Sequence, residues 1–413
     1  MESLPDCVLL MIFSHLTITE IGVALNVCKR WNELCFWEIK RRKTLFIAGS
    51  EVQESNDGKF MMSLFNQRDL LSVEFSFAID LLKIVLQDIR SLALCDTNGF
   101  KDENLYLVGK YLPNLKKLWL EEHEVSDESL AALFTYCSNL ESLILCAPHI
   151  TGSCFRFLPP LKQFISSDFN FEEENIETLY ERVSPTLKAF GFFFFDSGFE
   201  SLCQMSKNLQ TLRIDCIEIT KQDTPAFVTF LKSLHRIEKL FIFDFPLLLT
   251  EDLESLPTYL SIKSLFLEFH DKNTDENFAL ILSKFPNLEK LEFHIHCRES
   301  KDLQLFNTLQ ALLNLSKLRE LSIDYNIYAD FVTSLLNCQT LRKLQIHIRR
   351  HGFLDLWYFL KPFQRKGALL HLDIVKETAE TLQGAIVSKP NLIISVTDYV
   401  ESFWPFIEAS FRF

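Results

Sequence analysis

The side chains that could do chemistry are plentiful but scattered. The chain holds 10 His, 11 Cys and 55 Asp plus Glu. A catalytic or metal site needs such groups at spacings that bring them within reach of one another. His294 and His296 stand two apart in a stretch of strand character, so they face opposite sides and cannot chelate together. His347 and His371 fall on equivalent faces of neighbouring segments, with no third ligand evident. The cysteines are odd in number and show neither a CxxC pair nor a zinc-type spacing. There is no phosphate-binding loop, no Gly-x-Ser-x-Gly and no His-Glu-x-x-His. Glu172–Glu174 reads as a solvated loop or the start of a helix. The expectation is a protein without catalytic residues, metal or cofactor, which acts by binding.

Composition narrows what it binds. At 413 residues the chain is too long for one ordinary core. It is 48% hydrophobic with 11 Gly and 13 Pro, the balance of a folded chain. The formal net charge is −13. Residues 1–43 carry six basic and five acidic side chains, so the remainder holds −14. An acidic body speaks against a nucleic-acid binder, which needs a basic footprint. No apolar run reaches the length of a membrane span; Asp196 and Asp244 interrupt the richest stretches. Met1–Asp6 lacks the basic start and apolar core of a secretory signal. With so many thiols, the expected compartment is the reducing cytosol or nucleus.

The elements that organise the chain are repeats. Leu115-Lys-Lys-Leu118-Trp-Leu120 returns as Leu140-Glu-Ser-Leu143-Ile-Leu145, Leu209-Gln-Thr-Leu212-Arg-Ile214 and Leu288-Glu-Lys-Leu291-Glu-Phe293. The first apolar place falls at Ile89, Leu115, Leu140, Leu161, Leu187, Leu209, Ile237, Ile262, Leu288, Leu318, Leu341 and Leu369. The fourth is Leu or Phe in every unit, and the sixth is apolar except at Ser166. A weaker unit follows at Leu392–Val396. Between the strings lie helical patterns, such as Ser126-Asp127-Glu128 ahead of Leu130, Leu133 and Phe134, and Thr274-Asp275-Glu276 ahead of Phe278 and Leu282. A period near 25 residues is the mark of a solenoid, which escapes the single-core limit because each unit packs on its neighbours.

Strand, turn, helix and turn at this length resemble the leucine-rich repeat. Cys137-Ser-Asn-Leu140 resembles the closure of its cysteine-containing subtype. Cys95, Cys137, Cys146 and Cys338 then sit at repeat positions as small buried hydrophobes. The resemblance implies an α/β fold, a curved parallel sheet inside and helices outside. The third, fifth and seventh places of each string point to the concave side. There Trp119, Phe193, Phe241, Phe243 and Phe266 would form an apolar patch flanked by Arg213 and Lys239, a candidate protein-binding surface. A loop, or the aromatic tail 399–413, could instead cover some of these rings.

The first 43 residues differ from all this. Leu9, Ile12, Phe13 and Leu16 share one helical face; Thr17 or Thr19 can cap a second helix; Val27, Cys28, Trp31, Leu34 and Cys35 continue a stripe. Val8, Leu10, Met11 and Val23 lie off the main stripes. Apolar residues on more than one face suit either a partner or a helical cap packed on the repeats. Leu4-Pro5-Asp6-x-Val8-Leu9-x-x-Ile12-Phe13-x-x-Leu16, then Val27-Cys28-Lys29-Arg30-Trp31, then Trp37, resembles an F-box; Cys7 departs from the acidic residue often found there. The resemblance implies docking on a Skp-type adaptor, and through it a cullin and a RING protein, in an SCF-type ubiquitin ligase. It implies that Leu4 and Pro5 enter the adaptor's surface with Val8, Leu9, Ile12 and Phe13 as the helical contact, while Val27, Trp31 and Trp37 match positions shared between the domain core and that contact. The basic run Lys40–Lys43 reads as a solvated helix end or a nuclear signal.

The expected organisation is an F-box over 1–43, its helical unit ending at Trp37 ahead of the basic run, then a junction with degenerate first repeats over 44–88. In that junction Thr44–Ala48 reads as an edge strand that starts the sheet and Gly49–Lys59 as a polar surface loop. A leucine-rich-repeat solenoid over 89–398 and a tail or cap over 399–413 follow. The expected function is substrate recognition for ubiquitination and proteasomal degradation. The alternatives are a non-degradative interaction scaffold and a ribonuclease-inhibitor-like binder with a helical cap.

Overall fold

A computed structural model of the chain describes residues 4–49, 69–71, 75–84, 87–97, 99–121, 124–166, 171–193, 202–203, 206–216, 219–270, 274–296, 305–324, 331, 334–336, 338–348, 370–376 and 392–398. They belong to two compact units, one within residues 4–193 and one within 202–398. The tail 399–413 lies outside the described residues, as do most of the polar loop 49–59 and the reading of a covering tail.

The first unit begins with three helices, α1 (Asp6–Phe13), α2 (Ile18–Ala24) and α3 (Lys29–Arg41). Thr17 caps α2 in a reciprocal box: its hydroxyl accepts from the Glu20 amide at 3.1 Å, and the Thr17 amide donates to the Glu20 carboxylate at 2.8 Å. These bonds hold the Glu20 carboxyl below its usual range. Leu9, Phe13, Ile18, Ile21, Cys35 and Ile39 fill the space between the helices. Phe13 meets Trp31 edge to face at 5.1 Å. Val27 and Cys28 precede α3 and are exposed, so the stripe read across them breaks at Lys29. Trp37 does not end the domain; α3 runs a further turn, to Arg41.

A parallel sheet follows, with β1 (Thr44–Ala48), β2 (Leu70–Leu71), β3 (Ser91–Cys95), β4 (Lys117–Glu121), β5 (Ser142–Cys146), β6 (Gln163–Ser166) and β7 (Ala189–Phe193) in the order β2-β1-β3-β4-β5-β6-β7. Thr44–Ala48, expected at the edge, is an interior strand. It pairs on one side with β3 from Thr44↔Ser91 to Ala48↔Cys95, and on the other with the two-residue β2. Between strands run α4 (Phe75–Ile84), α5 (Leu105–Tyr111), α6 (Asp127–Tyr136) and α7 (Glu173–Val183). Each strand starts two residues after the first apolar place of its string, so the fourth and sixth places point at the helices. Phe155 meets Phe164 at 5.8 Å and Tyr180 meets Phe190 at 6.0 Å in this layer. Gly109 on α5 lets α6 approach: a Cβ there would stand 3.1 Å from the Leu133 carbonyl oxygen.

The second unit repeats the plan with β8 (Thr211–Asp215), β9 (Lys239–Phe243), β10 (Ser264–His270), β11 (Lys290–His296), β12 (Glu320–Asp324), β13 (Lys343–Ile348), β14 (Leu370–Lys376) and β15 (Leu392–Asp398), all parallel and in sequence order. Its helices are α8 (Thr224–Lys232), α9 (Thr250–Glu254), α10 (Asp275–Ser283) and α11 (Phe306–Asn314). Phe278 of α10 packs on Phe269 of β10 at 4.5 Å.

Polar side chains stitch one repeat to the next. Asp127 accepts from the Thr151 amide at 2.8 Å, the Thr151 hydroxyl at 3.0 Å and the Cys154 amide at 3.0 Å. Asp102 does the same for Ser126, and Asp275 for Asn307 and Thr308. Each carboxylate thus satisfies amides at the start of the following repeat's helix. Asn139 and Asn287 donate back to the carbonyls of Pro113 and Leu260.

Candidate functional site

The N-terminal helices present two sets of apolar residues. Leu9 and Phe13 are fully buried and belong to the domain's own core. Leu4, Val8 and Trp31 are half-buried, and Pro5, at the N-cap of α1, is exposed. Ile12, Val27 and Trp37 are exposed, Trp37 by 51%. Sequence reasoning placed Met11 and Val23 off the stripes without assigning them a role; they are the most exposed large hydrophobes of these helices, at 65% and 70%. Three helices of this size bury little surface, and leaving this many large hydrophobes in water is costly unless a partner covers them.

Charged groups order this surface. Arg30 of α3 donates from Nε to Asp6 at 2.8 Å and from Nη2 to the Leu4 carbonyl, fastening the Leu4-Pro5 start to α3. The Arg41 guanidinium lies 4.8 Å from the Trp37 ring centre, a cation–π contact that orients the indole. The basic run does not behave as one solvated block. Lys40, Arg41 and Lys43 are exposed, but Arg42 is buried. It pairs with Asp69 at 3.1 Å and Glu38 at 3.5 Å, and donates to the Leu16 carbonyl at 2.9 Å.

The helix-free face of the second unit carries the other candidate residues. Strand register aligns Arg213, Phe241, Phe266, Glu292, Ser322 and Gln345 in one row. Glu268, His294, Asp324 and His347 align in the next. Three of the five expected aromatics come together: Phe243 meets Phe266 at 4.5 Å, Phe241 stacks on Phe266 at 6.3 Å, and the Arg213 guanidinium lies 4.4 Å from the Phe243 ring centre. The rings are not exposed as expected. Phe266 is 3% and Phe241 5% accessible, and Arg213 is buried with them. Strands about 4.8 Å apart stack rings from consecutive repeats onto one another, which covers their faces. Lys239 is half-buried.

Farther along this face the surface turns polar. Lys290, Glu292, Glu320, Ser322, Lys343 and Gln345 line a shallow recess on β11–β13. His294 Nε2 stands 3.3 Å from Glu292. On the first unit, Trp119 lies in a row with Ala93, Ile144, Ile165 and Gly191, all buried. The Phe193 side chain lies outside the described residues.

The thiols fit a packing role at some of the repeat positions. Cys95 and Cys137 are buried, Cys146 and Cys338 half-buried. Burial pushes the Cys137 thiol up to about 12 and Cys35 up to about 11, so neither ionises near neutrality. Among the described residues no group of three His, Cys, Asp or Glu is placed to hold a metal ion.

Residues 1–43 match the family model described as F-box-like. Among solved structures, the chain is similar to one in the crystal structure of the Rad7 and Elc1 complex in yeast. The two are 16% identical over 91% of this chain and 96% of that one, with a TM-score of 0.51. It also matches the leucine-rich repeat-containing protein LegL7 from Legionella pneumophila at 13% identity, over 68% of this chain and 92% of that one, with a TM-score of 0.40. The stretch that matches the F-box-like model thus stands ahead of a parallel sheet whose strands carry the leucine-spaced repeats.

Proposed function

We propose that the chain is the substrate-recognition subunit of an SCF-type cullin-RING ubiquitin ligase. The observation that carries the reading is the set of exposed hydrophobes on the F-box-like helices: Met11, Ile12, Val23, Val27 and Trp37. They suit a Skp-type adaptor, which in turn brings the cullin and RING protein. Arg42 fastens these helices to the first strands of the sheet.

The repeats hold a protein substrate on their helix-free face. The charged recess on β11–β13 forms its contact surface, next to the buried ladder of Phe241, Phe243 and Phe266 that Arg213 and Lys239 flank. The subunit supplies proximity and orientation, and bond-forming chemistry belongs to its partners, so substrates are ubiquitinated and degraded by the proteasome. None of the ten described cysteines forms a disulfide, which suits the cytosol or nucleus. Among the described residues no helix is long and apolar enough to cross a membrane.

The test is co-purification of the full chain with a Skp-type adaptor, with and without Trp37→Ala and Val23→Asp. Binding that the substitutions abolish supports the reading; a chain that never retains the adaptor overturns it. A partner whose abundance rises when the cullin is depleted separates a degradative receptor from an interaction scaffold.

A further inference from the structure

One row of side chains in the first unit has no part in the function above. Immediately before β1 and β3 to β7 stand Lys43, Arg90, Lys116, Glu141, Lys162 and Lys188, the last five at the second place of their strings. Five of the six are basic, in a chain whose net charge is −13. The row is held by backbone: the amide of each residue donates to the carbonyl of the one before, at 2.7 Å from Arg90 through Lys162 and 2.8 Å at Lys188. The spacing is therefore that of the sheet, about 4.8 Å per step and about 24 Å from end to end. All five cations are exposed.

The row already shows what it holds. Glu141 sits between two lysines, 2.9 Å from Lys116 Nζ and 2.6 Å from Lys162 Nζ. Those contacts keep its carboxyl below the usual range. Arg90 and Lys188, one step beyond on either side, meet no carboxylate among the described residues. Lys43 reaches only the exposed Asp88, at 3.4 Å. The corresponding row of the second unit is mixed: Glu238, Lys263, Glu289, Arg319 and Arg342. There Glu238 pairs with Lys263 at 3.7 Å, so the row offsets its own charge.

We infer that the row of strand-start cations in the first unit docks an acidic, extended polypeptide segment, whose carboxylates take at Arg90 and Lys188 the place that Glu141 takes between its two lysines. The row's length matches about seven extended residues at about 3.4 Å each. A short segment of that kind stays within the cationic strip. A nucleic acid would run on past it over an acidic body, where its phosphates are repelled. The site lies at the start of the strands, apart from the helix-free face, and stands whether or not the protein serves a ligase.

The test is fluorescence anisotropy of a labelled nine-residue Glu peptide with the full chain. We expect saturable binding at about 50 mM salt that weakens at about 300 mM as the Debye length shortens. Arg90→Glu with Lys188→Glu should weaken it about tenfold or more. Lys101→Glu with Lys110→Glu, which reverses exposed charges outside the row, should leave it unchanged. Thermal melts of both variants establish that they fold. Absence of saturable peptide binding overturns the proposal, as does equal loss in the two variants. Tighter binding of a labelled oligothymidylate through the same residues overturns it in favour of a nucleic-acid site.

Discussion

Arg42 and Asp69 form a buried ion pair, Nη1 to Oδ1 at 3.1 Å, between the residue after α3 and the residue before β2. The same guanidinium reaches Glu38 and the carbonyl of Leu16. One side chain thus ties the F-box-like helices to the edge of the sheet. Arg42→Met leaves Asp69 and the Leu16 carbonyl without their cation in a dry site, and Glu38 with Arg41 alone, a loss of about 3–5 kcal/mol. Arg42→Lys does not restore it, because an ammonium cannot span these acceptors as the planar fork does. Urea unfolding of both variants checks the expectation, with Arg41→Met, an exposed neighbour, close to the parent.

The adaptor surface and the core beneath it predict different failures. Trp37 is half in solvent, so Trp37→Ala should leave the melting temperature nearly unchanged while weakening adaptor affinity by about 2 kcal/mol, near thirtyfold. Phe13 is fully buried against Trp31, so Phe13→Ala should unfold the domain first, by about 3–5 kcal/mol. Calorimetric titration with a Skp-type adaptor, run beside circular dichroism melts, distinguishes the two. Cys28, exposed next to Val27, gives a further readout: alkylation in the free chain should slow once the adaptor is bound.

Leucine spacing made the strands legible because each core place demands an apolar side chain whatever its neighbours are. Alternation also put Phe241, Phe243 and Phe266 on one face. It could not say how crowded that face is, since crowding depends on register, which sets Phe266 beside Phe241 and diagonal to Phe243. Thr44–Ala48 read as an edge strand because nothing in its own residues announces Leu70–Leu71, which arrives from more than twenty positions away. Arg42 was hidden in a run of four cations. Its signal was Glu38 four residues earlier, which puts the two on one side of the chain leaving α3. Met11 and Val23 were visible as misplaced hydrophobes, and their exposure gives that misfit a use.

Because the aromatic ladder is buried, substitutions there report stability before recognition. Phe266 touches Phe243, Phe241 and His294, at 4.5, 6.3 and 5.0 Å. Phe266→Ala should cost about 3–5 kcal/mol, seen as an early denaturant midpoint. Capture is better probed at the recess. Lys290 and Lys343 are exposed on the same face, so Lys290→Glu with Lys343→Glu should keep the parent's melt. Proximity labelling under proteasome inhibition should then lose the partners that the parent enriches. Unchanged labelling would remove the recess from the substrate surface.

The Asp127 stitch makes the first unit sensitive to acid. Burial opposes the charge of Asp127, but the hydrogen bonds from Cys154 and Thr151 outweigh it, so its carboxyl titrates below the usual value. A carboxyl depressed in the folded state contributes stability that is full above its unfolded value, about 3.9, and is lost as the pH falls through the folded one. Asp127→Asn keeps an acceptor but no charge, so at pH 7 it should be less stable by about 2 kcal/mol. The gap to the parent should hold down to about pH 4 and close below it. Thermal melts of the two proteins between about pH 7 and pH 2.5 read the difference directly. A gap that stayed constant through that range would mean that the hydrogen bonds act without the charge, and that Asp127 stitches its repeat to the next by geometry alone.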